Sequence, residues 1–232
     1  MNTQEAQALL DKIVGQIFGY KNPYTLDQFQ QKYAFDVRLP VKVNDSTTGV
    51  ETWAQSISSG KFITIDNARK MDEDGALEFP KQEINSISEL LKIWEKTNYT
   101  TTERQIESVN VGQSDNTYNS ENIFRCLNTQ SSKNILFSDG MFNSEYVAGS
   151  QRTKNTNYCI RVDDSKDCSN SFTVAWSGKV VNSMFINDCY DMYECLFCNH
   201  LSSKKYWIAN MPFEEAEYLK IKEMILRWIL SQ

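Results

Sequence analysis

The second half of the chain repeats one unit of apolar and polar positions at regular spacing. Short apolar runs, many of them entered by polar residues such as Ser120-Glu121-Asn122, recur at intervals of about 12 residues. The runs begin at Val111, Ile123, Ile135, Tyr146, Tyr158, Phe172, Met184, Leu196 and Tyr206. A unit of this length cannot bury a core alone, so copies of it must stack on one another. The spacing therefore predicts a β-solenoid, or parallel β-helix, in a mainly β protein.

In this interpretation two 12-residue half-coils form one coil of about 24 residues, and successive coils lie about 4.8 Å apart. Asn and Ser suit the corners, because their side chains bond nearby backbone and Asn tolerates left-handed conformations. A meander of antiparallel hairpins is the alternative, since strands at this spacing also occur in sandwiches and barrels.

The chain from residue 1 to residue 105 follows other patterns and predicts a small α+β region. Apolar residues from Leu9 to Phe18 fall on one side of a helix. Two pairs with capping-box spacing, Thr25/Gln28 and Ser86/Glu89, mark the starts of later helices. The expected elements are a helix ending at Gly19, a helix after Thr25, a strand over 35–43 with Pro40 at an edge, a turn over 44–49 and a helix over 87–97.

The C-terminal segment predicts one helix. Apolar residues recur at helical spacing between Phe213 and Leu230, and Pro212 suits a first helical turn. The open end of a solenoid invites aggregation unless it is covered, so this helix is expected to cap the last coil. The predicted organisation is an α+β region over 1–105, a solenoid over 106–210 and a capping helix over 211–232.

Composition narrows the class of protein. The 232 residues are 41% hydrophobic and carry a net charge of −6, which suits a folded protein without general attraction to nucleic acid or anionic membrane. No apolar stretch approaches the roughly 20 residues of a membrane span, and the N-terminus lacks the order of a secretory signal. We therefore expect a cytoplasmic protein that binds neither membrane nor nucleic acid.

Cysteine spacing offers one candidate site. All six cysteines lie between Cys126 and Cys198, too few and too irregular for a disulfide-stapled secreted domain, so they are expected to be reduced thiols. Cys189, Cys195, Cys198 and His200 supply four ligands of the type that zinc prefers. Only Cys195 and Cys198 have knuckle spacing, and small core residues explain the cysteines more simply. No cofactor is expected, and zinc at these four residues remains an alternative.

Carboxylates offer a second candidate. Asp139, Asp163 and Asp188 recur at offsets of 24 and 25 positions, so a 24-residue coil would stand them in one column. Paired acids in a groove are what inverting glycosidases and calcium-assisted polysaccharide enzymes require. A carbohydrate-active enzyme using these three residues is therefore an alternative to a binding protein, while a solvated column of acids would be purely structural.

The third candidate is the outer face of the strands, which is apolar as well as the inner face. Leu136, Phe185, Phe197 and Trp207 lie on this outer parity, so something must cover them. The N-terminal region, a second copy of the chain or another protein could do so. The preferred hypothesis is a non-enzymatic protein-binding or assembly module that self-associates through this wall or binds a protein partner there.

The tail carries a resemblance. Lys205-Tyr206-Trp207-Ile208-Ala209-Asn210 is followed by Glu214-Glu215-Ala216-Glu217-Tyr218. This resembles uncharacterised Cys- and Tyr-rich repeat proteins of candidate-phyla bacteria, whose chains end in a KYCI-x-N…EEY signature. Trp207 stands where the signature has Cys, and the likeness covers about residues 120–230. The resemblance implies a repeat architecture and no particular activity.

Overall fold

The computed structural model describes residues 1–58 and 60–231, and it confirms a mainly β protein built around a solenoid of about nine turns. The helices are α1 (Thr3–Phe18), α2 (Leu26–Tyr33), α3 (Ile65–Glu73), α4 (Ile87–Trp94) and α5 (Glu215–Ser231). The N-terminal strands are β1 (Val41–Asn44), β2 (Glu51–Ala54), β3 (Phe62–Thr64) and β4 (Thr100–Thr102).

The solenoid strands are short. They pair in parallel, except that the last strand pairs antiparallel with the strand before it. They are β5 (Gln105–Ile106), β6 (Val109–Gly112), β7 (Asp115–Tyr118), β8 (Glu121–Phe124), β9 (Leu127–Gln130), β10 (Lys133–Leu136), β11 (Asp139–Phe142), β12 (Glu145–Ala148), β13 (Gln151–Lys154), β14 (Asn157–Asp163), β15 (Ser169–Ala175), β16 (Gly178–Val181), β17 (Met184–Asn187), β18 (Tyr190–Asn199), β19 (Ser202–Ile208) and β20 (Met211–Pro212).

Strand register gives the length of one coil. Ile123 pairs with Ile135, Ile135 with Val147, and Val147 with Cys159, each step advancing 12 positions. The predicted solenoid and its 12-residue spacing are therefore confirmed, whereas the expectation that two such units make a coil is wrong. Each unit closes a full turn by itself.

The backbone explains how so short a unit closes a coil. Every third residue from Glu107 to Ala209 adopts a positive φ, between 46° and 63° for the non-glycine residues, with glycines at 140 and 149 in the same series. Two extended residues followed by one left-handed residue make a corner, so each coil contains four corners. The expectation that Asn occupies left-handed corners is confirmed at Asn134 and Asn155.

The residue after each corner points into the coil, and these inward residues are a mixture of aliphatic side chains and small polar ones. One inward column consists of Ser114, Cys126, Ser138, Ser150, Val162, Val174, Ile186 and Cys198, all at most 1% exposed. Ser132 and Ser144, which were expected at corners, are also inward and buried. Serine therefore has a different role in this fold from asparagine.

Inward serines bind backbone groups that the strand ladder leaves unpaired. The Ser150 hydroxyl donates to the carbonyl of Ala148 at 3.2 Å and accepts from the N–H of Val162, one coil later, at 2.9 Å. Cysteine thiols do the same: Cys126 donates to the carbonyl of Phe124 at 3.2 Å. Because buried backbone groups must be paired, these inward hydroxyls and thiols hold successive coils together.

The N-terminal region confirms most of its predicted elements. The predicted capping box of Thr25 and Gln28 forms at the start of α2, and α1 ends at Gly19 in the left-handed conformation. The predicted box at α4 forms only in part: Ser86 caps the helix, but the Glu89 side chain accepts from the N–H of Asn85. The strand expected over 35–43 is shorter, since β1 begins only at Val41, after Pro40. The helix expected over 87–97 is α4, whereas α3 has no predicted counterpart. Strands β1 and β2 pair antiparallel, and β3 and β4 pair parallel.

Helices α1, α2 and α5 pack against one apolar wall of the solenoid. The wall consists of Phe124, Leu136, Ala148, Ile160, Phe172, Met184, Leu196 and Ile208, one residue from each coil. The predicted C-terminal helix begins beside the last coil, where Tyr218 contacts Tyr206. It then runs back along the wall, so that Trp228 reaches Phe185. Within the described residues, no helix is both long and apolar enough to cross a membrane.

Candidate functional site

The four predicted interaction residues lie in different surroundings. Leu136 is fully buried beneath the N-terminal helices, so the prediction that it faces a partner is wrong. Phe185 is half-buried in the same cluster, stacked on Phe197 with ring centroids 4.3 Å apart. Trp207 packs at the C-terminal end of the inner core, with the Lys204 ammonium 4.6 Å from its ring. The chain's own helices are therefore the cover that the apolar wall required.

The three aspartates do not form a column of neighbouring carboxylates. Gln151 lies between Asp139 and Asp163 in the ladder, and Asp139 accepts a hydrogen bond from Asn128 at 2.6 Å. Burial raises the pKa of Asp163, while Arg161 opposes the shift. Asp188 occupies a corner instead, because its offset from Asp163 exceeds two coils by one position. The geometry brings no pair of these acids together for catalysis.

The four predicted zinc ligands do not converge, although the Cys195 and Cys198 side chains interact with each other. Across residues 1–58 and 60–231, no group of three or more His, Cys, Asp or Glu side chains is placed to hold a metal ion. Cys189, Cys195 and Cys198 point into the coil from three different columns, whereas His200 is an exposed corner residue. Burial raises the pKa of Cys189, as expected for a protonated structural thiol.

The structure instead reveals an open groove of about 920 Å³ on another side of the solenoid. Its first edge, here called the corner ladder, repeats one corner position through five coils. The corner ladder consists of Arg152, Asp164, Trp176, Asp188 and His200. The facing strand ladder consists of Lys154, Lys166, Gly178, Tyr190 and Ser202.

Hydrogen bonds fix the charged members of the corner ladder to each other. Arg152 holds Asp164 through two bonds of 2.6 Å, and a hydrogen bond from Arg152 lowers the pKa of that carboxyl. Further along the ladder, Asp188 lies 2.6 Å from Nδ1 of His200. Arg152 and Asp164 thus form an ion pair within the groove.

Trp176 differs from the other aromatic corner residues. Among the described residues, seven Phe, Tyr or Trp side chains occupy left-handed corners, a conformation that costs a non-glycine residue about 1–2 kcal/mol. Six of them belong to the apolar cluster between the helices and the solenoid wall, or stack on its members: Phe137, Tyr146, Tyr158, Phe185, Phe197 and Tyr206. Trp176 lies in the groove and is 64% exposed. Intramolecular packing accounts for the six and not for Trp176.

The strand ladder holds a second aromatic ring in place. Gly178 has no side chain, and the Tyr190 ring lies against its backbone; an added Cβ would sit 3.2 Å from two ring carbons. The Lys179 ammonium lies 5.3 Å from the centre of the same ring. A glycine at this position therefore gives the Tyr190 ring room to approach the backbone.

A different surface lies in the N-terminal region, on the segment over 65–98, here called the arm. No residue of the arm is buried, although α4 carries an apolar stripe. Ile87, Leu90, Leu91 and Trp94 are 71%, 43%, 52% and 54% exposed. A shallow hollow of about 570 Å³ lies beside this stripe, and Lys92 and Glu95 are among the residues that line it.

Sequence reasoning missed both surfaces. The groove could have been found by aligning the chain at a 12-residue period, which places Asp164, Trp176, Asp188 and His200 in one column. The assumed 24-residue coil separated them. The chain matches no family model, no curated protein and no solved structure.

Proposed function

We propose that this protein is a non-enzymatic assembly module that pairs with a second copy of itself through α4. The preferred hypothesis of self-association is retained, but the contact between the two copies lies on the arm and not on the solenoid wall. The observation that carries the proposal is the exposed apolar stripe of α4 in a segment that buries no residue of its own. Exposed contiguous apolar surface of this kind marks interaction sites.

The rim of the hollow favours a second copy as the occupant. Lys92 and Glu95 carry opposite charges and line the same hollow, three residues apart. In a twofold dimer with antiparallel helices, one flank of α4 faces the same flank of its partner. Lys92 of each copy then lies opposite Glu95 of the other, while the two apolar stripes cover each other. The surface is therefore complementary to itself in charge.

A cytoplasmic location is part of this proposal. All six cysteines are free and buried, which suits a reducing compartment. No pair of the predicted aspartates lies close together, so a binding role fits this chain better than carbohydrate hydrolysis.

Sedimentation equilibrium tests the proposal. At tens of micromolar, the wild-type protein is expected to show twice the 26.8 kDa of one chain. Leu91→Glu is expected to weaken the dimer at least tenfold, about 1.4 kcal/mol, because it buries a charge in the apolar contact. Leu219→Glu is the matched control, since Leu219 on α5 is 50% exposed and lies outside the arm.

Charge exchange tests the twofold pairing itself. Lys92→Glu and Glu95→Lys are each expected to weaken the dimer, because each variant brings like charges together across the interface. The double variant restores opposite charges and is expected to recover dimerisation. A wild-type protein that stays monomeric, a dimer indifferent to Leu91→Glu, or a double variant weaker than both single variants would each overturn the proposal.

A further inference from the structure

The groove between the corner ladder and the strand ladder is unrelated to the proposed dimer contact, and its chemistry points to a ligand of its own. We propose that this groove binds a linear, neutral oligosaccharide lying along the solenoid axis, with Trp176 stacked against a sugar ring. Three features support this ligand: the exposed aromatic rings, the paired charges and the regular repeat of positions along the groove.

Trp176 provides the stacking surface. Trp176 occupies a corner of one coil, and its ring is mostly exposed in the groove. Tyr190, one coil later on the strand ladder, lies against the backbone of Gly178. The apolar faces of sugar rings pack against such exposed aromatic rings, which bring a large contact area and little conformational freedom to lose.

The charges of the groove favour a neutral ligand over a polyanion. The lining residues include three basic side chains, Arg152, Lys154 and Lys166, and two acidic ones, Asp164 and Asp188. Arg152 is already bound to Asp164, and the Lys154 ammonium lies 5.1 Å from the ring of Phe142. Nucleic acid and anionic glycans need several cations aimed at the ligand. The Arg152–Asp164 pair and the hydrogen-bonded Asp188 and His200 instead offer the mixture of donors and acceptors that sugar hydroxyls require.

The spacing of the coils favours a linear ligand with a repeating unit. Equivalent groove positions lie one coil apart, about 4.8 Å, which is comparable to the length of one sugar unit in an extended glycan. The corner ladder passes through five coils, from Arg152 to His200. A chain of about five sugar units would therefore extend over the whole groove.

Isothermal titration calorimetry with defined oligosaccharides tests this inference. The probes are N-acetylchito-, cello-, laminari- and malto-oligosaccharides of two to six units. At least one series is expected to bind, with an affinity that rises with length and levels off near five units. Raising the salt concentration is expected to change the dissociation constant less than twofold, because no counterions are released.

Trp176→Asn is the decisive variant. Asn occupies the equivalent corner at Asn116 and Asn128, so this replacement fits the left-handed backbone and is expected to fold. It should weaken binding at least tenfold. Phe35→Ala removes an aromatic ring of similar exposure, 68%, on the helix side of the molecule, and is expected to leave binding within twofold.

Three results would overturn the inference. They are the absence of binding to all four series, equal binding by Trp176→Asn, and binding confined to single-stranded DNA or anionic glycans with steep salt dependence. None of these results depends on dimerisation, since Leu91→Glu can be titrated alongside the wild type.

Discussion

At the scale of single residues, this solenoid places polar groups inside because its backbone requires them there. A left-handed corner at every third position interrupts the strand ladder, and inward Ser and Cys side chains pair the backbone groups left over. Cys189 accepts a hydrogen bond from the N–H of Leu201 at 3.4 Å, as Ser150 does from Val162 at 2.9 Å. The cysteines that suggested zinc are therefore substitutes for serine.

Ser150→Ala tests this role. The replacement leaves the N–H of Val162 and the carbonyl of Ala148 without the Ser150 hydroxyl, and a buried unpaired group costs about 1–3 kcal/mol. Ser150→Cys keeps a donor and acceptor and is expected to lose less. Urea unfolding measures both changes, and equal stability of the two variants would contradict the proposed role of the hydroxyl.

Thiol reactivity gives a second test at this scale. Burial raises the pKa of Cys126 and of Cys168 to about 12, so both thiols stay protonated at pH 8. Because the thiolate is the reactive form, we expect iodoacetamide to modify neither residue until the solenoid unfolds. Mass spectrometry of native and urea-unfolded protein measures the difference. Modification of native Cys126 as fast as a peptide thiol would show that the column opens locally.

The sequence indicates the spacing of the polar residues but not whether their side chains point into or out of the coil. Asn corners could be expected because Asn tolerates positive φ. The inward position of Ser132 could not, since polar residues between apolar runs usually mark surface turns. Only the hydrogen-bond requirement of the corners explains why Ser132 and Ser144 are buried.

At the scale of elements, the helices fit the wall through close backbone contacts. Gly149 has a φ of 61°, and a Cβ there would lie 2.9 Å from the carbonyl oxygen of Tyr33, the last residue of α2. Arg161 binds Asp36 through two hydrogen bonds of 2.8 and 2.9 Å just beyond the same helix end. The C-terminal end of α2 is therefore fixed to two successive coils.

Gly149→Ala is expected to destabilise the protein by about 1–3 kcal/mol, because the added methyl group forces the end of α2 away from the wall. Gly19→Ala is the control: Gly19 is also left-handed, but no atom lies within 4 Å of its added Cβ. That variant should show only the conformational cost, about 1 kcal/mol. Thermal unfolding compares the two, and equal losses would exclude the proposed clash.

Asp45 organises the turn between β1 and β2 and connects it by hydrogen bonds to the start of α3. Burial raises its pKa, but hydrogen bonds from Thr47, Thr64 and Asn67 outweigh this and hold it well below its ordinary value. A depressed carboxyl pKa stabilises the fold above the unfolded value of about 4 and loses that contribution as the pH falls.

Asp45→Asn is therefore expected to lower the free energy of unfolding at pH 7 and to flatten its decline between pH 5 and pH 2, roughly the range in which the carboxylate gains its proton. Urea unfolding at several pH values, followed by fluorescence, measures both effects. A variant as steeply dependent on pH as the wild type would show that other carboxylates dominate acid unfolding.

At the scale of the whole molecule, one wall of the solenoid serves stability and another side remains open. Repeat spacing was enough to predict the solenoid, and helical spacing of apolar residues was enough to predict α1 and the C-terminal helix. Neither could predict which chain segment covers Leu136, because contacts between distant segments leave no periodic signal. The predicted column of Asp139, Asp163 and Asp188 failed for a related reason: an error in the coil length changes every long-range alignment.

The quarter-turn of three residues also limits how such a chain can change its length. Inserting a single triplet would rotate every later residue by one corner, so that Met184, Leu196 and Ile208 would turn away from the helices. Inserting 12 residues would add one complete turn of the solenoid and leave the residues on each of its sides aligned. Natural variants of this architecture should therefore differ in length by multiples of 12 residues.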